Sequence, residues 1–298
     1  MLLNKIGEFG LIERFKKHIK LDSSVVKGSG DDCAVIKFTQ DKYMLMTCDM
    51  IVEGVDFTLK AKPELIGRKA VAISISDIAA CGGTPRHCVI AMGIPKNMPV
   101  EIIERISQGM FDLAKVYKIN IVGGDISRSE NLVIDVSMIG EVEKRRLVLR
   151  SGAKKGDIIF VSGELGGSIR GKHLSFTPRL KEARVLVNKF KINSMIDISD
   201  GLTQDLMHIL KESKKGAVIY EDLIPVSLDA RGLEEALSMG EDFELLFSAS
   251  KQEARKIMKL KTHNFYAIGE ILGQSLGFNI VDKVKRQKPL RPKGFRHF

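Results

Sequence analysis

Cysteine and histidine are scarce in this chain, and their placement excludes several chemistries. The four cysteines, at positions 33, 48, 81 and 88, form no C-x-x-C pair, and the six histidines, at 18, 87, 173, 208, 263 and 297, include no pair four apart. Neither a zinc site nor a thiol redox centre is written in such a pattern. Long uncharged apolar runs are also missing. The most apolar stretch, Ala70 to Cys81, carries Asp77 and falls short of the roughly 18–20 residues that span a bilayer, so no membrane association is expected. The opening MLLNKIGEFG lacks the basic start and apolar run of a secretion signal. With so few cysteines, a reducing cytoplasm is the expected compartment. Gly163-Glu164-Leu165-Gly166 offers no serine at a nucleophile elbow. The stretch Gly166 to His173 follows the P-loop pattern until His173 stands where a Ser or Thr hydroxyl should reach magnesium. It reads as a Gly-rich turn before a helix. Gly28-Ser29-Gly30 is no dinucleotide fingerprint either, because Cys33 occupies the place of the third glycine.

What is present is an ordinary globular composition, 44% apolar and 28% charged over 298 residues, enough for two domains with buried cores. The net charge is +10, of which +6 falls in residues 281–298. A charge run of this kind is a solvated segment or a guide for an anionic small substrate; no zinc-finger spacing or basic-aromatic motif accompanies it, so nucleic acid is not an expected partner.

Periodicity predicts an amphipathic surface helix over Ile6–Lys20 and a hairpin of Cys33–Phe38 with Tyr43–Thr47. A helix follows over Glu64–Cys81, opened by Pro63, stopped by Gly82-Gly83 and rich enough in small residues to pack closely. A strand at His87–Met92, a helix at Val100–Tyr117 and a strand at Leu132–Gly140 complete the first half. The turn-rich Gly152–Asp157 restarts the chain, which places a domain boundary near residue 145, with domains 1–145 and 146–298. Strands at Ile158–Val161, Ala217–Tyr220, Glu244–Phe247 and Phe265–Ile271 then alternate with helices beginning near Asp200 and at Lys251–Leu260. The predicted class is α/β (α+β): a mixed N-terminal sheet with helices and a C-terminal α/β sandwich.

The chemistry-bearing feature is aspartate beside glycine at the ends of apolar runs. Asp31 and Asp32 follow Gly30, Asp49 ends a strand, and Asp77 lies near a helix C-terminus. Asp125 follows Gly123-Gly124, Asp197 and Asp200 bracket Ser199, and Glu241 and Asp242 follow Gly240. Singly, each is a turn or cap. As a set without Cys or His, they are hard oxygen donors suited to magnesium and phosphate.

The segments Gly30-Asp-Asp-Cys-Ala-Val-Ile36, Asp49-Met-Ile-Val-Glu-Gly-Val-Asp-Phe57, Ala72–Gly82, Gly124-Asp125, Arg150-x-Gly-Ala-Lys-x-Gly-Asp157, Ile196-Asp-Ile-Ser-Asp-Gly-Leu202 and Gly240-Glu-Asp-Phe-Glu-Leu245 resemble, in order and over nearly the whole chain, the motifs of the thiamine-monophosphate kinase family. The wider superfamily includes aminoimidazole ribonucleotide synthetase, selenophosphate synthetase and the hydrogenase-maturation dehydratase. The chain carries no reactive N-terminal Cys and no C-terminal Cys, and ends Gly294-Phe-Arg-His-Phe298, similar to the aromatic end of the kinase. An ATP-dependent ligase or dehydratase of the superfamily is the alternative.

The resemblance implies a two-domain ATP-binding fold of the aminoimidazole ribonucleotide synthetase type, a homodimer formed through the N-terminal half, and transfer of the ATP γ-phosphoryl group to thiamine monophosphate. It implies several Mg²⁺ ions on Asp31, Asp49, Asp77, Asp125, Asp197 and Asp200, with Thr47 or Cys48 contributing a carbonyl, or Thr47 its hydroxyl. Asp125 and Asp200 are the ligands on which catalysis is expected to depend. Arg150, Ser199, Gly124 and Tyr117 would lie at ATP, and Glu241, Asp242 and Phe295 near thiamine. The N–H groups of the helix opening at Gly201 would favour anions, with metal mediating much of that contact because Asp200 adjoins it. One position departs from the family: where His-Phe is usual, this chain has Asp56-Phe57. Asp56 is expected at the substrate, facing its phosphate through a cation.

Overall fold

The computed structural model describes residues 5–295. Its first half contains α1 (Gly7–Lys16), β1 (Val25–Lys27), β2 (Ala34–Lys37), β3 (Lys42–Val52), α2 (Pro63–Ala80), β4 (Thr84–Pro95), α3 (Val100–Tyr117), β5 (Asn120–Ser129) and β6 (Val133–Glu143). The strands form one mixed sheet in the order β1-β2-β3-β6-β4-β5, parallel only between β4 and β5. Alternation is strict in β6, where Ile134, Val136, Met138 and Val142 are buried and their neighbours are not. That period of two means one face is covered and the other open.

Helices α2 and α3 cover the closed face. They touch backbone to backbone: a Cβ on Gly67 would lie 1.8 Å from the Ile106 carbonyl, and one on Gly109 would lie 1.9 Å from that of Glu64. The small-residue character of α2 thus has the predicted consequence. Helix α1 ends at Lys16, short of the predicted Lys20, and has no fully buried residue. It is held from one side, with the Phe9 ring 5.3 Å from His208, too little packing to extend a short helix in water.

The second half contains β7 (Ile158–Val161), α4 (Lys172–Ser175), α5 (Leu180–Lys189), β8 (Ile192–Asp197), α6 (Leu202–Ser213), β9 (Lys215–Tyr220), α7 (Leu233–Ser238), β10 (Leu245–Ala249), α8 (Lys251–Ile257), β11 (Tyr266–Gly273), β12 (Phe278–Val281) and β13 (Gln287–Pro289). Its sheet runs β13-β12-β9-β11-β7-β10-β8. Helices cover both faces. Leu206, Ile209 and Leu237 pack on one side with Ile159 and Leu246; Ala183, Leu186, Ala254 and Ile257 pack on the other with Phe160 and Phe247, whose rings stack at 5.1 Å. Every residue of β10 is accordingly buried.

The basic tail is bound to its own chain. Lys285 pairs with Asp222, Arg286 and Lys288 with Asp282, and Lys293 with Glu234. Lys288 and Pro289 on the terminal strand β13 also suit an edge that must not recruit further strands. Arg296 and the aromatic Phe298 lie outside the described residues. Among the described residues no helix is long and apolar enough to cross a membrane.

Candidate active site

Three segments of the first half and one of the second carry carboxylates to a common point. The 30–33 turn brings Asp31 and Asp32, the closed face of β3 brings Thr47 and Asp49, α2 brings Asp77 and the end of β8 brings Asp197. Carboxylate oxygens of Asp32, Asp77 and Asp197 lie within 4.8 Å of one another. Hydroxyls orient the group: Thr47 donates to Asp77, Ser74 to Asp49 at 2.8 Å and Ser76 to Asp197 at 2.6 Å. Arg150 donates to Asp32 Oδ1 at 2.6 Å, and its backbone N–H points at the Asp31 carboxylate.

This concentration of charge is out of balance. Burial, and next the Asp32 charge, push Asp31 and Asp197 up to about 7; burial pushes Asp49 up to about 6. Asp77 rises further, from burial and then from Asp49 and Asp197. Arg150, itself raised by Asp32 against its own burial, is too little to offset them. Asp32 Oδ2 is buried without a hydrogen-bond partner, a costly state for a carboxylate oxygen. A close, buried set of oxygen donors with an orphaned lone pair fits a hard divalent cation.

Other expected site residues fall into three groups. Ser199 and Asp200 lie on the loop after β8. Here the structure corrects one expectation: the N–H groups of Asp200 and Gly201 are not open to an anion but donate to Asp205 Oδ2 at 3.1 and 3.0 Å. Phe295 is carried to this loop by the tail, its N–H donating to the Asp200 carbonyl at 3.0 Å, with its ring 46% exposed.

The second group is Glu241, Asp242 and Asp56. Glu241 faces the buried Lys69 and His173 of the opposite elements, at 2.6 and 2.7 Å. Burial raises its carboxyl, but His173 and Lys69 outweigh this and hold it below the usual range. Asp242 is 1% exposed and occupied by the Gly166 N–H and the Ser168 hydroxyl; it holds the Gly163–Ser168 loop and has no free face for a substrate. The Asp56 carboxylate turns back to accept the Val52 N–H at 2.7 Å, anchoring its own loop where a substrate contact was expected.

The third group is set apart. Cys48 is on the open face of the first sheet, its thiol donating to Asp135 at 3.2 Å, so only its carbonyl remains eligible as a ligand. Asp125 pairs with Ala91, which pairs with Asp135, which pairs with Met50. Residues so aligned share a face, and Asp125 therefore lies on the open side, three strand spacings of about 4.8 Å from β3. The Gly123-Asp125 segment, expected as a turn, is strand β5; Gly124 is needed because a Cβ would meet the Ile90 carbonyl at 1.9 Å. Tyr117, at the end of α3, donates to the Pro178 carbonyl at 3.4 Å.

Lys69 and Asp205 were not singled out from sequence, and Asp32, noted among the Gly-Asp pairs, and His173, noted in the failed P-loop pattern, were given no site role. Lys69 had a legible signal, since Arg68, Lys69, Ser74, Ser76 and Asp77 are the only polar side chains between Ile66 and Ala80.

Residues 30–142 match the AIR synthase related protein N-terminal domain family, and residues 151–281 the corresponding C-terminal domain family. The chain is 35% identical to thiamine-monophosphate kinase of Buchnera aphidicola (subsp. Acyrthosiphon pisum), with 99% of both chains covered. It is 33% identical to that of Aquifex aeolicus over 100% of both. The solved structure of AaThiL complexed with AMPPCP and TMP superposes with a TM-score of 0.87, at 32% identity, over 100% of this chain and 99% of that one. The hydrogenase maturation protein HypE in complex with ATP, at 19% identity and a TM-score of 0.73, shares the fold. By full-length identity above 30% and by both domain matches, the chain belongs to the thiamine-monophosphate kinase family, within the AIR synthase-related fold.

Proposed function

We propose that the chain catalyses magnesium-dependent transfer of the ATP γ-phosphoryl group to thiamine monophosphate, giving thiamine diphosphate. The observation that carries the reading is the Asp32, Asp77 and Asp197 group with its orphaned oxygen, beside Arg150, in a chain related over its full length to these kinases. The acceptor is a phosphate monoester whose second pKa is about 6, so at neutral pH it arrives mostly as a dianion and needs no strong base. The obstacle is repulsion between two anions.

Asp31, Asp32, Asp49, Asp77, Asp197 and Asp200, with Thr47 and the Cys48 carbonyl, would hold Mg²⁺, which supplies charge screening and alignment of the phosphates. Arg150 remains paired with Asp32 and, with Ser199, orients ATP; Tyr117 lies beside the nucleotide. Glu241 and Phe295 line the thiamine end, where the exposed ring can stack on the cationic heterocycle. The free thiols of Cys33, Cys48, Cys81 and Cys88 support a cytoplasmic setting.

Support for a homodimer comes from the open face of the first sheet. It exposes Met46, Met50 and Val89, flanked by Val122 of β5, an apolar surface of the kind that marks an interface. Asp125 lies on this side, while the adjacent Gly124, paired with Ile90, faces the other way. The role of Asp125 at the metal then requires a second copy to close the site, with the Gly124 backbone beside it at the nucleotide.

The deciding experiment measures ADP release with thiamine monophosphate and thiamine side by side across a magnesium titration. Turnover should require magnesium and the monophosphate; thiamine, whose alcohol needs a positioned base, should be a poor acceptor. Equal rates on the two acceptors would remove the argument for an acceptor that arrives ionised.

A further inference from the structure

Lys69 is among the largest fully buried side chains of the protein, 1% exposed, and a buried lysine persists only when its charge and its three N–H donors are met. Its donors go to Glu241 Oε1 and Oε2, both at 2.6 Å, and to the Asp56 carbonyl at 2.9 Å. Those three acceptors use all its protons. The His173 Nδ1, 2.7 Å from Glu241 Oε2 and 3.2 Å from Lys69, is thereby free to donate to the carboxylate.

The partners come from different parts of the molecule. Lys69 is on α2, Asp56 on the loop after β3, His173 on α4 and Glu241 on the turn before β10. That turn is under backbone strain: Glu241 and Phe243 adopt φ of 66° and 50°, a region costly for residues with a Cβ. It is fixed by the Glu241 N–H on the Ser199 carbonyl at 2.7 Å and by the Phe243 ring stacked on Phe176 at 4.1 Å. A strained residue whose carboxylate is held by two buried cationic or donor groups has one geometry available.

We propose that Lys69 is a positioning residue for the acceptor end of the site, fixing the Glu241 carboxylate and the Asp56 loop and acting on acceptor binding through Glu241. The inference rests on the reading that places Glu241 at thiamine. Lys69 touches neither substrate; it sets where Glu241 stands when the acceptor arrives.

A double-mutant cycle tests this with kinetics on thiamine monophosphate and on ATP for Lys69→Met, Glu241→Gln and the combination. Lys69→Met should raise KM for thiamine monophosphate about tenfold or more and leave KM for ATP within about twofold. The combined variant should lose no more than Glu241→Gln alone, because a residue acting through another adds nothing once that other is removed. A merely structural lysine would lower the melting temperature and affect both substrates alike. Should Lys69→Met alone fail to fold, the combined variant, which buries no unpaired charge, is compared directly with Glu241→Gln: equality supports the proposal and a further loss overturns it. Losses that multiply in the combined variant, or that fall equally on ATP, also overturn it. Absence of wild-type turnover on thiamine monophosphate overturns the functional reading and this inference with it, whereas normal wild-type turnover with multiplying losses overturns only the latter.

Discussion

At the scale of single residues, Asp32 shows how a site can be built against its own stability. Its Oδ1 is held by Arg150, and its Oδ2 is buried beside Asp77 and Asp197 with nothing to accept from. In Asp32→Asn the amide would replace that lone pair with two donors facing two carboxylates, relieving like-charge repulsion at the cost of the ion pair's charge. The metal-free variant should therefore melt higher than the parent by up to a few degrees, since about 1 kcal/mol corresponds to roughly 2–4 °C at 150–250 residues and to less in a longer chain. It should also lose most of the stabilisation that magnesium gives the parent, which for a ligand at a hundred times its Kd is about 2.7 kcal/mol. Thermal unfolding with and without magnesium measures both. A variant that keeps the full magnesium shift would remove Asp32 from the ligand set.

At the scale of elements, α2 decides the geometry of the site because it carries Lys69, Ser74, Ser76 and Asp77 along one helix. Its position is fixed by α3, against which Gly67 and Gly109 leave no room for a methyl group. Gly109→Ala should force the helices apart and destabilise the protein by about 1–3 kcal/mol or more in denaturant unfolding. Because the shift propagates to Asp77, it should also weaken the magnesium response; an unchanged midpoint would mean that α3 adjusts freely. The small residues of α2 were readable in the sequence, as were its Pro63 start and Gly82-Gly83 stop. The register that turns Asp49 inward and Cys48 outward was not, because the predicted strand ended at Thr47 whereas β3 continues to Val52. The edge strand β5 was invisible for a physical reason. Nearly all its residues are exposed, so it has no alternation to read, and Gly123-Gly124 imitates a turn. Helix α5 and strand β8 also went unpredicted, although β8 delivers Asp197. The clustering of Asp31, Asp49, Asp77 and Asp197 followed from motif resemblance, while the inward ties of Asp56 and Asp242 depend on backbone donors at Val52 and Gly166 that no side-chain pattern reveals.

At the scale of the whole molecule, the question is why Asp125 should share a site with Asp77 when the first sheet separates them. Asp125 lies on the open face, Asp77 beneath the closed one. Two copies related by a two-fold axis present identical surfaces to each other, so an apolar open face that docks on its own copy brings each Asp125 toward the other chain. Under that arrangement each site takes Asp200 from one chain and Asp125 from its partner. Asp125→Asn and Asp200→Asn should each reduce turnover at least about a hundredfold without unfolding the protein, as expected for loss of a metal-holding charge. Co-expressing the two variants distinguishes shared from self-contained sites. Half of the randomly assembled dimers are mixed and each mixed dimer has one intact site of two, so about a quarter of parental activity should return. A glutamate in place of Val89, which is 43% exposed on that face, should produce monomers by light scattering and abolish the recovery. If the co-expressed pair stays as inactive as either variant alone while still forming dimers, Asp125 does not serve the partner's site, and the open face would then join the subunits without completing their chemistry.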